Sequence, residues 1–171
     1  MHLRRAKVTD AEAVAGVYIG SRAGYVAFAP LAHSEEDVRD WVKRVLIPKR
    51  RVFVVEEDGT ILAMMAISVR RGAGWIDQLY VAHGRTGRGY GTFLLQCAIE
   101  RLPSPIYLYT FQENLGARRF YERNGFESER FSDGADNEER CPDVLYRRNG
   151  KRSPKKPVSE RAHAPVADQV R

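Results

Sequence analysis

Three glycines at alternate positions in the middle of the chain are able to leave backbone N–H groups open to an anion. Gly87, Gly89 and Gly91 follow an apolar strand pattern, Trp75–Val81, and precede a helical pattern, Thr92–Leu102. Glycine leaves successive N–H groups unshielded, and the positive end of the predicted helix lies directly behind them. This spacing predicts a site for a phosphate or a pyrophosphate.

Two common nucleotide-binding loops do not match this turn. The loop of nucleotide hydrolases needs a lysine after its last glycine, and no lysine follows Gly89 or Gly91. The dinucleotide fingerprint needs a third glycine where this sequence has Thr92 or Leu94, and Phe111 stands where its acidic ribose ligand is expected. The anion therefore belongs to another kind of ligand.

A second group of residues lies along one stripe of a helix downstream. Asn114 is typical of a helix N-cap and Gly125 of the position just after a helix, so the pattern predicts a helix between them. Tyr121 follows Asn114 by two helical turns, with the small Ala117 between them. The stripe leaves room for a ligand along the helix, although a half-buried packing tyrosine is the alternative interpretation.

Both segments resemble the GNAT N-acetyltransferase family. Its coenzyme A signature is [QR]-x-x-G-x-[GA], which Gly89 and Gly91 match, whereas Thr86 stands at the first position between Arg85 and Arg88. The downstream run matches the family pattern N-x-x-A-x-x-x-Y-x-x-x-G-F from Asn114 onward. The resemblance covers about residues 3–148.

The resemblance implies acetyl-CoA as co-substrate, with no metal. The family's fourth and fifth strands splay apart, and the pantetheine arm lies in the opening along the fourth strand. Asn114 would contact the arm or the thioester. The residues expected to hold acetyl-CoA are Leu79, Tyr80, Val81, Arg85, Thr86, Gly87, Arg88, Gly89, Tyr90, Gly91, Thr92, Asn114 and Tyr121.

The implied chemistry is direct acyl transfer from the thioester to a primary amine in a ternary complex. A phenol stays protonated at neutral pH and is able to donate to the departing thiolate, so Tyr121 is the expected general acid. The general base is open. Asp77, predicted to face the same way as Leu79 and Val81, is one candidate, and Glu113, His33 or a water chain are others.

The surrounding pattern predicts the elements that position these residues. A first strand at Leu3–Lys7 precedes a helix that opens with a Thr9–Glu12 capping box and ends near Ser21, and Ser34 caps a second helix to about Val45. The remaining strands are predicted at Arg51–Glu56, Thr60–Val69, Trp75–Val81, Ile106–Thr110, Glu127–Phe131 and Asp143–Arg148. Ile76, Gln78 and Tyr80 should alternate with Asp77, Leu79 and Val81.

These elements predict an α/β (α+β) fold. Three consecutive strands with short turns form an antiparallel meander, and the strand after the helix should run parallel to its predecessor. A mixed, mostly antiparallel sheet of six to seven strands is therefore expected, flanked by about four helices. The resemblance implies the acyl-CoA N-acyltransferase type.

Length and charge indicate one domain with a basic tail. The 171 residues have a net charge of +6, and the tail, 149–171, holds six Lys or Arg residues against two acids. We expect a domain at 1–148 and a disordered tail, because the tail is too polar to offset its ordering entropy. The sequence has no apolar leader and no apolar run long enough to cross a membrane, which predicts a cytoplasmic protein. Its two cysteines suggest neither a disulfide framework nor a metal site.

Several alternatives stay open. Two other functions are compatible with the sequence. One is a degenerate acyl-CoA-binding or sensing module, and the other is a nucleic-acid- or ribosome-associated protein that acts through its tail. Nucleic acid is the less favoured partner, since the tail lacks interleaved aromatic residues. The acceptor is a small-molecule amine or a protein N-terminal or lysine amine, and the protein a monomer or homodimer. Four acids lie in the loop before the last strand, and they are either simply solvated or attract a cationic amine: Asp133, Asp136, Glu138 and Glu139.

Overall fold

The computed structural model describes residues 1–29 and 31–150 and contains one seven-stranded sheet. The strands are β1 His2–Arg5, β2 Arg51–Glu57, β3 Thr60–Arg70, β4 Ala73–Val81, β5 Ile106–Phe111, β6 Glu127–Ser132 and β7 Asp143–Arg148. Their order in the sheet is β1-β2-β3-β4-β5-β7-β6. Only β4 and β5 run parallel, so the predicted mixed, mostly antiparallel sheet is confirmed.

Within the described residues, four helices flank the sheet. They are α1 Ala11–Tyr25, α2 Glu35–Trp41, α3 Tyr90–Arg101 and α4 Leu115–Arg123. The path of α2 continues through a π-helical stretch, Val42–Leu46, into a last helical turn, Ile47–Lys49. The predicted caps of α2 and α4 are confirmed, because Ser34 Oγ accepts from Asp37 N and Asn114 Oδ1 accepts from Ala117 N.

The start and end of α1 differ from the prediction. The Thr9–Glu12 capping box does not form; Asp10 instead accepts from the Lys7 backbone N–H at 2.7 Å and from the Arg4 guanidinium. The helix also continues to Tyr25, one turn beyond the predicted end at Ser21. This extra turn places two further side chains, described below, at the functional site.

Two hydrophobic cores lie on opposite faces of the sheet. Met65 of β3 packs in the core under α3 and α4, and its neighbour Met64 packs in the core under α1 and α2. Both methionines are fully buried, as alternation along a strand covered on both faces requires. The sheet therefore supports helices on both sides and leaves its strand ends free to build a site.

The predicted strict alternation along β4 is wrong at Asp77. Ala66 pairs with Gln78 and Ile67 pairs with Ile76, so Asp77 is the extra residue of a β-bulge. The bulge shifts the pattern by one residue. Ile76 consequently shares the α3–α4 core with Leu79 and Val81, whereas strict alternation would have placed it with Tyr80 on the other face.

Strands β4 and β5 separate soon after they meet. They pair only at Gly74–Ile106 and Trp75–Tyr107. Beyond these pairs β5 continues to bond β7 along its whole length, while β4 remains bonded to β3. The edges of β4 and β5 that face each other are therefore left open at their C-terminal ends.

Of the helices in the part of the chain that the structure describes, none combines the length and apolar character that a membrane crossing requires. Cys97 is buried, Cys141 is half-buried, and both are free thiols. The predicted tail lies outside the described residues from 151 onward.

Candidate active site

Two adjoining cavities occupy the opening between β4 and β5. The first, here called the strand cleft, has a volume of about 650 Å³ and is bordered by β4, the end of β5, α4 and residues 83–89, here called the glycine turn. The second, here called the loop cavity, has a volume of about 1140 Å³ and lies among α1, α2 and the β6–β7 loop. Both cavities are bordered by Arg22, Asp77, Gln78, Tyr80, Tyr109, Thr110 and Phe111. This shared wall is where ligands in the two cavities would meet.

The glycine turn supplies the outer end of the strand cleft. Gly87 and Gly89 have φ values of +78° and +89°, a region that disfavours other residues, and Gly89 is the N-cap of α3. The first N–H groups of α3 follow directly, with the positive end of the helix dipole behind them. Thr86, Gly87, Gly89, Gly91 and Thr92 all border the cleft. The turn therefore has the geometry of an anion site.

Position 91 needs a small residue for a different reason than position 89, where the backbone conformation favours glycine. A Cβ at Gly91 would lie at ordinary contact distances, 3.6 Å from Phe120 and 3.7 Å from Val81, and its φ is not positive. The backbone of this position consequently allows a side chain. A larger side chain at Gly91 would instead fill the part of the strand cleft between β4 and α4.

Three residues predicted at the anion site turn their side chains elsewhere. Arg85 and Arg88 are exposed and border neither cavity. Tyr90 is buried in the α3–α4 core, and its hydroxyl donates to Glu57 Oε2, which lowers the pKa of that carboxyl.

The β4 residues predicted to border the pantetheine arm, Leu79, Tyr80 and Val81, lie at the strand cleft in different side-chain environments. Leu79 and Val81 belong to the α3–α4 core and border the strand cleft. Tyr80 packs on the opposite face, with its ring centroid 4.8 Å from that of Tyr18, and borders both cavities. Burial raises the pKa of Tyr80, so its hydroxyl stays protonated at neutral pH.

Asn114 and Tyr121 come together on the wall of the strand cleft, as their helical stripe predicts. Asn114 Oδ1 is occupied by the cap of α4, whereas its amide Nδ2 donates to none of the described residues. Tyr121 is 8 % exposed, with its ring packed against Phe120, Phe126 and Tyr146. Burial raises the pKa of Tyr121. The phenol is thus held rigidly and protonated beside the cleft.

The candidate bases lie in different places. Asp77 borders both cavities. The prediction that it faces the same way as Leu79 and Val81 is wrong, because it lies in the loop cavity with Gln78 and Tyr80, and Leu79 and Val81 do not border that cavity. Its carboxylate also forms an ion pair with Arg70. His33 borders the loop cavity 3.3 Å from Glu138, and Glu113 is exposed and borders neither cavity. Of the predicted bases, Asp77 alone reaches the shared wall.

The loop cavity is lined by carboxylates and aromatic rings. Its acids are Asp37, Asp77, Asp136, Glu138, Glu139 and Asp143, and its guanidinium groups are Arg22 and Arg130. A hydrogen bond from the Ser34 hydroxyl lowers the pKa of Asp37, and Asp143 accepts from Ser132 Oγ and Asn137 Nδ2. Three of the four acids predicted in the β6–β7 loop border the cavity, and Asp133 does not. The lining favours a cation.

Sequence reasoning missed Arg22, which the last turn of α1 places on the shared wall. Its side chain is 5 % exposed, and Nη2 donates to Ala29 O at 2.9 Å and lies 2.8 Å from Glu139. A sequence signal existed, since Arg22 continues the apolar stripe of Val14 and Tyr18 at intervals of four residues. A charged residue in that register predicts a buried and partnered side chain.

Within residues 1–29 and 31–150, no group of three or more His, Cys, Asp or Glu side chains is arranged to hold a metal ion.

Sequence comparison identifies one family that matches this chain. The model of the acetyltransferase (GNAT) family matches residues 21–126, which is more than half of the sequence. The match includes α1's last turn, the glycine turn and the whole of α4. No curated protein matches the chain significantly.

Solved structures of low sequence identity have the same fold. The apo form of YjaB from Escherichia coli superposes with a TM-score of 0.69 at 19% identity, over 88% of this chain and 98% of that one. PaiA N-acetyltransferase from Thermoplasma acidophilum, in complex with coenzyme A, has a TM-score of 0.67 at 18% identity, over 87% and 98%. Ribosomal-protein-alanine N-acetyltransferase from Brucella melitensis has a TM-score of 0.65 at 18% identity, over 87% and 99%.

Proposed function

This chain belongs to the acetyltransferase (GNAT) family, and from that premise we propose that it transfers the acetyl group of acetyl-CoA to a primary amine. The observation that carries the proposal is the separation of β4 and β5 beyond Trp75–Tyr107. It opens a cleft that begins at the glycine turn and ends at a wall shared with a second cavity. One cavity suits a pantetheine arm, and the other an acceptor.

Acetyl-CoA fits the strand cleft from its pyrophosphate to its thioester. The N–H groups between Gly87 and Thr92 bind the pyrophosphate, because they are unshielded and lie at the start of α3. The open edge of β4 at Leu79 and Val81 offers backbone groups to the amides of the arm. The free amide of Asn114 donates to the arm on the opposite side of the cleft.

Acyl transfer then takes place at the shared wall. The lone pair of the amine attacks the thioester carbon, the C–S bond breaks, and the thiolate takes the proton of the Tyr121 hydroxyl. Solvent returns a proton to Tyr121. The raised pKa of Tyr121 keeps its hydroxyl protonated until the thiolate forms. Burial of the thiolate raises the pKa of the thiol as well, so the proton can still pass from the phenol to the sulfur.

The amine loses its own proton on the loop-cavity side. Asp77 is the proposed acceptor of that proton, directly or through water, since it borders both cavities. The Asp77 carboxylate is already paired with the Arg70 guanidinium, which makes it a weaker base. A water chain to solvent is therefore the alternative acceptor of the proton. The acids of the loop cavity attract the ammonium form of the amine before it is deprotonated.

The acceptor is proposed to be a small-molecule amine or a protein N-terminal or lysine amine. One structural neighbour is named as a ribosomal-protein-alanine N-acetyltransferase, so peptide N-terminal amines belong in the screen beside small amines. The test is release of free thiol from acetyl-CoA in the presence of each amine. We expect at least one amine to raise release above hydrolysis, with an acetylated product visible by mass spectrometry.

The same screen separates this function from its rivals. Binding of acetyl-CoA without thiol release for any amine would identify a sensing module. Failure to bind acetyl-CoA at all would show that the strand cleft takes another ligand. If full-length protein and a variant ending at Asn149 bind nucleic acid with different salt dependence, the tail has a binding role of its own.

A further inference from the structure

The glycine turn is exposed along its whole length, and its order depends on very few contacts. All residues from His83 to Gly89 are exposed, and Gly84, Gly87 and Gly89 have positive φ values. Glycine-rich backbone loses much conformational entropy when it is ordered. Within the turn, Arg85 N donates to Ala82 O at 3.0 Å. A turn of this kind needs an external contact to hold its N–H groups in one arrangement.

Tyr25, in the last turn of α1, provides that contact. Its hydroxyl accepts from Gly84 N at 2.9 Å and lies 3.2 Å from Thr86 Oγ1, with either oxygen as donor. Among the described residues, these are the only side-chain hydrogen bonds to residues 82–89. The ring of Tyr25 also packs against that of His83, with centroids 5.3 Å apart.

The backbone of α1 approaches the same turn closely. A Cβ at Gly24 would overlap the imidazole of His83, so the helix packs directly against this side chain. Tyr25 and Thr86 both border the strand cleft beside Gly87. The contact therefore joins the C-terminal end of α1 to the entrance of the anion site.

We propose that Tyr25 is a positioning residue for the pyrophosphate of coenzyme A. Its hydroxyl holds the segment from Gly84 to Thr86 and so orders the N–H groups that follow. Without it, the turn has to be ordered when the ligand binds, which lowers affinity. The proposal rests on the proposed function, since it assumes that the strand cleft takes coenzyme A. It concerns Thr86 in particular, because this hydroxyl stands where the signature has a long Arg or Gln.

The test compares Tyr25→Phe with wild type by isothermal titration. Phe keeps the ring against His83 and removes the hydroxyl, and Gly84 N is exposed and able to bond water instead. Loss of one neutral hydrogen bond should weaken CoA binding by about 3- to 10-fold. Dephospho-CoA, which keeps the pyrophosphate and lacks the 3′-phosphate, should lose the same factor. Thr86→Val should cause a smaller loss, because Gly84 keeps its bond to Tyr25.

Controls distinguish positioning from general stability. The matched control is Tyr107→Phe, a tyrosine of β5 that borders neither cavity, and its CoA affinity should equal that of wild type. The melting temperature of ligand-free Tyr25→Phe should also equal that of wild type. Once an acceptor is known, the KM for acetyl-CoA should rise while kcat stays unchanged.

Three results would overturn the proposal. An unchanged Kd for CoA would show that the hydroxyl orders nothing relevant to binding. A loss confined to CoA, with dephospho-CoA unaffected, would place Tyr25 at the 3′-phosphate. A lower ligand-free melting temperature with no change in Kd would make the contact structural only. If wild type binds neither ligand, the proposed function itself fails, and that outcome is visible before any variant is measured.

Discussion

Arg22 Nη2 lies 2.8 Å from Glu139 Oε1, and this ion pair joins the last turn of α1 to the β6–β7 loop across the loop cavity. The side chain of Arg22 is 5 % exposed and that of Glu139 is 17 % exposed. Arg22 also borders the strand cleft, so the pair lies beside the point where both cavities meet. The ion pair therefore fixes one side of the loop cavity where it meets the strand cleft.

Neutralising Glu139 should destabilise the protein, because Arg22 would keep a buried charge without its partner. We expect Glu139→Gln to cost about 2–4 kcal/mol, somewhat below the range for fully buried pairs, since Glu139 keeps some solvent contact. For a domain of this size that corresponds to a fall in Tm of roughly 4–16 °C. Urea unfolding and a thermal melt both measure it.

The matched control for this prediction is Glu138→Gln in the neighbouring position. Glu138 pairs with His33 at 3.3 Å, but these side chains are 75% and 60% exposed. Its substitution should change stability by less than about 0.5 kcal/mol. Equal effects of the two substitutions would contradict the account of Arg22–Glu139 as a buried pair.

Removal of the Tyr121 hydroxyl should lower turnover and leave acetyl-CoA binding nearly unchanged. The ring of Tyr121→Phe keeps its contacts with Phe126 and Tyr146, so the fold is preserved. General acid catalysis typically contributes about 10²–10⁴-fold, and the fall in kcat should lie within that range. Tyr107→Phe is again the control. Wild-type turnover by the Tyr121 variant, measured where chemistry limits the rate, would remove this residue from the mechanism.

Burial of Tyr121 also predicts how stability depends on alkaline pH. Burial raises the folded-state pKa above the unfolded value of about 10, so above that pH the folded state holds the proton that the unfolded state has released. The contribution of Tyr121 to the free energy of unfolding is therefore fully present below about pH 10 and falls as the pH rises further. The slope should be steeper in wild type than in Tyr121→Phe by up to about 1.4 kcal/mol per pH unit.

Urea unfolding of both proteins at several pH values between 9 and 11 measures this difference. Tyr80 and Tyr18, whose pKa values burial also raises, contribute equally to both proteins and cancel in the comparison. Parallel curves would show that the Tyr121 hydroxyl is hydrated in the folded state, contrary to its burial.

Acetyl-CoA should stabilise the protein through the glycine turn. At a ligand concentration near 100 times Kd, linkage adds about 2.7 kcal/mol, which corresponds to a rise in Tm of about 5–10 °C. Desulfo-CoA should give a comparable rise and NADH almost none. Gly89→Val should abolish the rise, because a β-branched residue is strained at φ +89°. A clear rise with NADH or ATP and none with acetyl-CoA would contradict the assignment of the strand cleft.

Truncation after Asn149 should leave the melting temperature of the domain unchanged. Among the residues that the structure describes, the last strand is β7, which ends at Arg148. The residues beyond it are polar and rich in proline, a composition that does not build a core. A large fall in Tm or a loss of soluble protein would show that the tail packs on the domain.

Patterns among residues close together in the sequence were sufficient to predict much of the fold and about half of the candidate site. Ser34, Asn114 and Gly125 mark helix ends because capping is a local hydrogen-bonding requirement. The positive φ of Gly87 and Gly89 follows from the same kind of local rule, since only glycine adopts it freely. Asn114 and Tyr121 face one cleft because helical periodicity places them on one stripe.

Contacts between residues distant in the sequence decided the rest. The bulge at Asp77 depends on how β4 pairs with β3, and no local pattern in β4 specifies that register. The last turn of α1 contains Gly24, a weak helix former, and it is held by the contacts of Tyr25 with Gly84 and Arg22 with Glu139. Such pairs bring together residues about 60 and 120 positions apart, and only folding of the whole sheet makes them neighbours.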